Sequence, residues 1–329
     1  MSSNSTSSNI FSLSMELVSA TTTTKLITLI QLAYGIPSFT LMIVFFLVLG
    51  CSKNYQNSFY RLVQLDLLTN ILCYLNSWFG MRLEEHPGGV LLLKSIESVI
   101  PGALNITKTG LNFFLHMQFC SSVAMSLHRV SSMKFHSSFD KFWSRFYLIY
   151  ALISIIYSIL PILAITGRPT KVSVINGTLS TTYDLQAIGT TLFQSTISSV
   201  IYFLLISGIG LTTAVFIGRT VKTYNSDDRG LSKKLTRIAL TYCSVYTGIL
   251  LWTIVTSINT LFPFFPPIMV LINGDLMLFA SDMMTLSLPY ILLAYDANVR
   301  RDILKTCSKD KGTNVTQVFV STSSVNNRT

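Results

Sequence analysis

Seven long apolar stretches, separated by short polar loops, make up most of this 329-residue chain. Each is long enough to cross a hydrocarbon core, which takes about 20 helical residues. Backbone groups in lipid must be hydrogen-bonded within the structure, and the stretches lack the period-two alternation of barrel strands, so they indicate helices. We therefore predict an all-α integral membrane protein, a seven-transmembrane-helix bundle. The predicted spans are 26–50, 62–81, 109–129, 146–166, 195–217, 238–262 and 268–294.

The distribution of the 24 Lys and Arg residues predicts the orientation of the bundle. When residues 1–25 are placed outside, 18 of the 24 fall in inner loops and the carboxyl-terminal tail. This is the bias of the positive-inside rule. We expect an extracellular amino-terminal tail over 1–25, a transmembrane domain over 26–294 and a cytoplasmic tail over 295–329. The six remaining basic residues are then outside: Lys25, Arg82, Lys94, Lys108, Arg168 and Lys171.

Composition and motifs exclude several classes of protein. The chain is 50% hydrophobic and 12% charged, which leaves no room for a soluble catalytic domain. Its net charge of +10 is explained by inner loops that face anionic lipid, so the bilayer and not nucleic acid is the expected partner. No catalytic, phosphate-binding or metal-ligand motif is present. We predict no enzymatic activity, no cofactor and no metal.

The parts of the chain outside the spans carry a few further signals. Lys94 and Glu97 interrupt the apolar residues of the outer loop after helix two, so a short helix along the outer surface is favoured over an eighth crossing. Among the sequons expected outside, Asn4 and Asn176 are glycosylation candidates, whereas Asn105 is too close to helix three. None of the five cysteines falls in an outer loop, which excludes an extracellular disulfide.

The tail after helix seven contains a short amphipathic run, DANVRRDILKTC. Val299, Ile303 and Leu304 share one side, so the run predicts a helix that lies on the membrane. Cys307 at its end is a palmitoylation candidate. A simple basic anchor beside the membrane explains most of its charges equally well.

Acidic and amide side chains within the spans are few, and they indicate functional or helix-locking roles. Asp66 and Asn70 begin a polar stripe on helix two, and Asp282 lies near the middle of helix seven. An ionised Asp282 would bind a cationic ligand, a protonated one would donate to a neutral ligand, and a structural hydrogen bond is the alternative. Residues at suitable depths for a ligand pocket are Asn112, Phe113, His116, Trp252, Asn259, Asp275 and Asp282.

Helix three ends in His128-Arg129 at the inner boundary. The Arg129 guanidinium can reach water there, pair with an acid, or bind a backbone carbonyl. Together with the basic inner loops, it is a candidate contact for a cytoplasmic partner. We group the expected residues of activation and coupling as Asp66, Asn70, His128, Arg129, Pro289 and Tyr290.

Several strings resemble those of the nematode serpentine receptor class gamma (Srg) chemoreceptors, which are similar to G-protein-coupled receptors. They are AYGIPSF, then SFYRLVQLDLLTNILCYLNSWF, the outer-loop IPG, HMQF before MSLHR, and LPYILLAYD before VRRDI. The resemblance covers about residues 30–305, and the helix-two string is its most specific part. Three features depart from the rhodopsin-like pattern: no acid precedes Arg129, helix seven lacks Asn-Pro-x-x-Tyr, and the extracellular disulfide is absent.

This resemblance implies a plasma-membrane receptor that binds a small-molecule ligand and signals through a heterotrimeric G protein. A position at the surface of sensory neurons is implied by the family alone. A seven-span transporter or ligand-gated channel is the alternative function. No internal repeat of the kind that many transporters carry is visible. An insect-type odorant-gated channel has its amino terminus inside, against the charge bias.

Overall fold

The structure is a computed structural model of the chain. It describes residues 10–15, 22–52, 55–134, 139–164, 169–175, 177–220, 226–261 and 265–308. The glycosylation candidates Asn4 and Asn176 lie outside these ranges. Cys307 lies in the last described helix, but its side chain is outside the described part, so palmitoylation there stays a prediction.

Nine α-helices occur in the described ranges, and seven of them have 20 residues or more. A π-helical segment, Trp78–Arg82, and a 3-10 turn, Leu83–Glu85, follow the second helix. The helices are α1 (Thr22–Cys51), α2 (Ser58–Ser77), α3 (Pro87–Val99), α4 (Ala103–Lys134), α5 (Phe139–Ala164), α6 (Leu185–Thr220), α7 (Ser226–Leu261), α8 (Pro267–Tyr295) and α9 (Ala297–Ser308).

Five described helices are individually long and apolar enough to cross a membrane: α1, α5, α6, α7 and α8. The pair α3 and α4 qualifies as a sixth span if it is counted as one helix bent by 109°. The α2 helix is more polar, and 12 of its 20 residues are buried. A helix enclosed by its neighbours needs little apolar surface toward lipid, so its polar composition fits a central position in the bundle.

The bend between α3 and α4 is built around one acidic side chain. Gly102 has a φ of 91°, a conformation that glycine adopts without steric cost. The buried Glu97 carboxylate accepts hydrogen bonds from the backbone N–H groups of Gly102 (2.6 Å) and Leu104 (3.0 Å). It therefore satisfies donors at the first turn of α4, where a negative charge is favourable.

Three short strands form a sheet that the sequence does not predict. They are β1 (Ile10–Ser14), β2 (Thr170–Ile175) and β3 (Thr178–Asp184), in the order β1-β3-β2, and all neighbours are antiparallel. A small hydrophobic cluster joins this sheet to α3 and α4. Its buried members are Met15, Val90, Leu93, Leu104, Val172 and Leu179.

The sheet is also attached to the first turn of α4 by Asn105. The Asn105 Nδ2 group donates to the Val172 carbonyl (3.0 Å), and Asn105 Oδ1 accepts from the Val172 N–H (2.8 Å). We call the sheet and α3 together the outer cap. The outer end of the bundle is the end that carries this cap, and the inner end is the opposite one.

The inner end is closed by α9. Val299 and Ile303 are buried in the main hydrophobic core of the bundle, so this part of the apolar face of α9 contacts protein. Contact of α9 with the membrane stays a prediction. The Tyr55 hydroxyl donates to Asp302 (2.8 Å), and the Tyr60 hydroxyl donates to Asp296. Burial raises the pKa of Tyr55, and its bond to Asp302 adds to the shift, so this phenol stays a neutral donor.

Candidate functional site

A buried ion pair with aromatic neighbours lies toward the outer end, between α1, α2 and α8. The Arg82 guanidinium forms an ion pair with Asp282, whose other oxygen accepts a hydrogen bond from the Tyr34 hydroxyl. Arg82 also lies over the rings of Tyr74 and Trp78, with its central carbon 5.4 and 5.1 Å from their centroids. We call these five residues the outer cluster.

The structure corrects the sequence-based prediction that Arg82 lies in an outer loop. Its side chain is only 3% exposed, because the π-helical segment continues α2 inside the bundle as far as Arg82. A signal was present in the sequence, since Asn70, Tyr74, Trp78 and Arg82 follow one another at intervals of four. In the α-helical part each interval of four residues rotates the side chain by about 40°, and the wider π-helical turn over Trp78–Arg82 offsets part of that rotation.

Asp282 therefore has partners on two other helices. Its charge is balanced by Arg82, so an incoming cation would have to compete with a guanidinium that is already in place. Close approach of α1 and α2 supports the arrangement: a Cβ atom on Gly35 would lie 2.0 Å from the Tyr74 hydroxyl oxygen. Only glycine at this position leaves room for the Tyr74 side chain.

The other predicted pocket residues fall in separate places. The His116 Nδ1 atom lies 2.7 Å from the Tyr202 hydroxyl, which donates to Tyr157. Asn112 and Phe113, on the same helix, are half-buried, and the Phe113 ring contacts Phe114 edge-on at 5.2 Å.

Trp252 and Asn259 lie on α7 close to the turn into α8. The Trp252 ring stacks on Phe265 at 6.2 Å, and Asn259 Oδ1 accepts from the Phe265 N–H (2.7 Å). Asp275 lies near Glu85 at the outer end, where burial and the Asp275 charge raise the pKa of Glu85. The contacts among the described residues thus divide the seven predicted pocket residues among several clusters.

A central polar network joins four helices below the outer cluster. Asp66 Oδ2 accepts from Asn70 Nδ2 (2.9 Å) and from the Tyr242 hydroxyl (2.8 Å). Gln118 Nε2 donates to Asn70 Oδ1 (2.7 Å) and to the Thr285 hydroxyl (3.0 Å). Buried amides and carboxylates that satisfy one another in this way fix the relative positions of α2, α4, α7 and α8.

His128 and Arg129 point into the bundle at its inner end. His128 Nε2 lies 2.8 Å from the Ser58 hydroxyl, and its ring contacts Trp143 at 5.3 Å. The Arg129 guanidinium carbon is 3.9 Å from the centroid of the Phe59 ring, and the residue is only 4% exposed. This cation–π contact, and not exposure to water, is what the structure shows for Arg129.

Pro289 and Tyr290 lie in the second half of α8. Pro289 has no N–H and so leaves one backbone carbonyl of the preceding turn without its helical donor. The Tyr290 hydroxyl is 2.7 Å from the Ser38 hydroxyl on α1, although the side chain is about half exposed.

The architecture is similar to that of a solved receptor. The crystal structure of squid rhodopsin matches it with a TM-score of 0.58, at 12% sequence identity, over 84% of this chain and 83% of that chain. The likeness confirms the predicted seven-transmembrane-helix fold.

Two relatives match the chain at higher sequence identity. The chain is 34% identical to serpentine receptor class gamma-47 of Caenorhabditis elegans over 275 residues, which is 84% of this chain and 89% of that protein. It is 31% identical to serpentine receptor class gamma-53 of the same organism over 277 residues, 83% and 90% of the two chains. The family model described as Srg family chemoreceptor matches residues 28–303. With most of its length matched in this way, the chain belongs to the Srg family of chemoreceptors.

Proposed function

We propose that this protein is a chemosensory receptor of the plasma membrane, and not an enzyme. It binds a small-molecule ligand toward the outer end and activates a heterotrimeric G protein at the inner end. Family membership and the rhodopsin-like fold support this function, and the same family suggests the surface of sensory neurons as its location.

The observation that carries the proposal is the central polar network. Asp282 and Thr285 are one turn apart on α8, so the helix that holds the outer ion pair also holds one end of the network. At its other end, Asp66 is bound by α7 through Tyr242. A ligand that moves α8 would therefore change contacts that α2, α4 and α7 share. This coupling would let ligand binding shift the populations of an inactive and an active receptor state.

Ligand screening with a G-protein readout tests the proposal. Cells that express the full chain are exposed to small molecules, and G-protein activation is measured against untransfected cells. Activation by at least one compound is expected. Ligand-dependent ion current without any G protein would instead support the channel, and uptake of the compound would support the transporter.

Arg129→Ala tests the inner end. The substitution removes a buried guanidinium from the Phe59 ring, a contact of about 0.5–2 kcal/mol, and we expect loss of signalling with ligand binding and surface expression nearly intact. Arg61→Ala is the matched control, because Arg61 is an exposed arginine at the same end. Wild-type signalling from Arg129→Ala, or an equal loss in both variants, would contradict the coupling role.

A further inference from the structure

The Arg82 guanidinium has more hydrogen-bond donors than partners. Its Nη2 group pairs with Asp282, whereas Nε and Nη1 are buried without a hydrogen-bond partner in the described part of the chain. Buried donors of this kind are unfavourable, because the water that they lose on folding is not replaced. An acceptor placed beside Nη1 would satisfy that group, whereas the Nε–H bond points to the other side of the guanidinium.

Two neighbouring helices add further donors on the same side of the bundle. The Tyr74 hydroxyl, whose ring lies under the guanidinium, is buried; the N–H groups of Trp78 and Arg82 are near its oxygen, and no acceptor for its proton is present among the described residues. Nε2 of Gln31, one turn from Gly35 on α1, is also buried without a hydrogen-bond partner among the described residues. The unsatisfied groups of Arg82 and the adjacent Tyr74 hydroxyl are therefore donors, and they favour a ligand that accepts hydrogen bonds.

The charge balance of the outer cluster restricts the ligand further. Arg82 and Asp282 together are neutral, so a carboxylate or phosphate would add an uncompensated negative charge beside the buried Asp282. An ammonium group would meet the positive Arg82. A neutral carbonyl oxygen has two lone pairs, so it can accept one hydrogen bond from Arg82 Nη1 and one from the Tyr74 hydroxyl, and it adds no net charge. Trp78 and Tyr74 supply aromatic surface for the apolar remainder.

We propose that Arg82 and Tyr74 bind the carbonyl oxygen of an uncharged, largely apolar ligand such as a ketone, ester or lactone. This inference rests on the proposed function, since it names the ligand class of the receptor. Arg82 Nη1 donates to the carbonyl oxygen while Nη2 keeps its bond to Asp282. The Tyr74 hydroxyl donates to the same oxygen or to a neighbouring ester oxygen.

Binding is tested without a G protein, on the purified full chain in lipid nanodiscs. Its thermal unfolding is followed with a panel of ketones, esters and lactones of six to twelve carbons, together with carboxylic acids and primary amines of equal length. Because a ligand stabilises the state that it binds, at least one carbonyl compound should raise the apparent Tm by about 2 °C or more at saturation. The matched acid and amine should not.

Two variants locate the effect. Arg82→Lys keeps the charge opposite Asp282 but loses the Nη1 donor, and Tyr74→Phe keeps the ring but loses the hydroxyl. Each should weaken the stabilisation by roughly tenfold in apparent Kd. Tyr150→Phe is the matched control, because it removes a hydroxyl that is bound to the Cys120 carbonyl between α4 and α5. It should bind like the unmodified chain.

Three results would overturn the inference: no stabilisation by any carbonyl compound, equal or greater stabilisation by acids or amines, or carbonyl binding that persists in both Arg82→Lys and Tyr74→Phe. Carbonyl-dependent stabilisation without G-protein activation would contradict the proposed function alone. Activation by an amine or an acid that Arg82→Lys leaves unchanged would contradict only the ligand class.

Discussion

At the scale of single residues, the outer ion pair is the contact with the largest expected energetic effect. Both side chains are nearly inaccessible to water, at 3% for Arg82 and 4% for Asp282. Removal of one partner leaves a buried charge without compensation, whereas replacement of both by apolar groups is often neutral or stabilising. The two types of substitution therefore separate the cost of an orphaned charge from the contribution of the pair.

We expect Asp282→Asn and Arg82→Met each to destabilise the receptor by about 3–5 kcal/mol. The double variant Asp282→Leu/Arg82→Met should recover most of that loss. Thermal unfolding in detergent is measured for these variants and for Asp282→Leu alone, because Asp282→Leu, Arg82→Met and their combination form a double-mutant cycle that gives the coupling.

The control is the pair Lys108–Glu84, which is more accessible to solvent. Substitution of Glu84→Gln should cost only about 0–1 kcal/mol. If Asp282→Asn were no more harmful than Glu84→Gln, the ion pair would not be structurally important.

At the scale of elements, the long helices follow from the local sequence, whereas the sheet of the outer cap does not. The apolar stretches predict the long helices, because burial in lipid depends on the local run of residues alone. The sheet depends on β1 pairing with β3, about 170 residues further along the chain, and no local pattern encodes such a contact. The burial of Arg82 is equally hidden from the local sequence, because its partner Asp282 is 200 residues away.

Asn105 provides the test of the cap. Because its amide is bound to Val172 in both directions, we expect that this sequon carries no glycan and that Asn105→Ala speeds hydrogen exchange across β2. Mass spectrometry of the peptide and exchange of residues 170–175 measure the two effects.

Thr107→Ala is the matched control for Asn105, because it removes the sequon and leaves the Asn105 amide in place. Exchange in β2 should be unchanged in that variant. A mass decrease of one glycan in both variants would show that Asn105 is modified and that its contact with Val172 is not formed.

At the scale of the whole molecule, the helical bundle follows from composition, but its orientation rests on charge. The transfer of Arg82 from the outer loop into the bundle strengthens the bias, since one fewer basic residue remains outside. Helices α6 and α7 begin before the predicted spans, at Leu185 and Ser226, because a helix outside the hydrocarbon core needs no apolar side chains. Apolar length therefore predicts the crossing and not the ends of the helix.

Epitope tags at positions 2 and 325 test the orientation. In unpermeabilised cells, antibody should bind the tag at position 2, and the tag at position 325 should become accessible only after permeabilisation. Both termini on one face would contradict an odd number of crossings. A reversed pattern would contradict the charge-based orientation while leaving the fold unchanged.

The way in which the outer cap is attached has a consequence for redox chemistry. Cys51, Cys73, Cys120 and Cys243 are free thiols, and the sheet is joined to α3 and α4 by packing and by Asn105. Thiol reductants therefore have no cross-link to break at this end of the molecule. Any opening of the sheet from α3 and α4 is therefore expected on the timescale of loop opening and not of disulfide exchange.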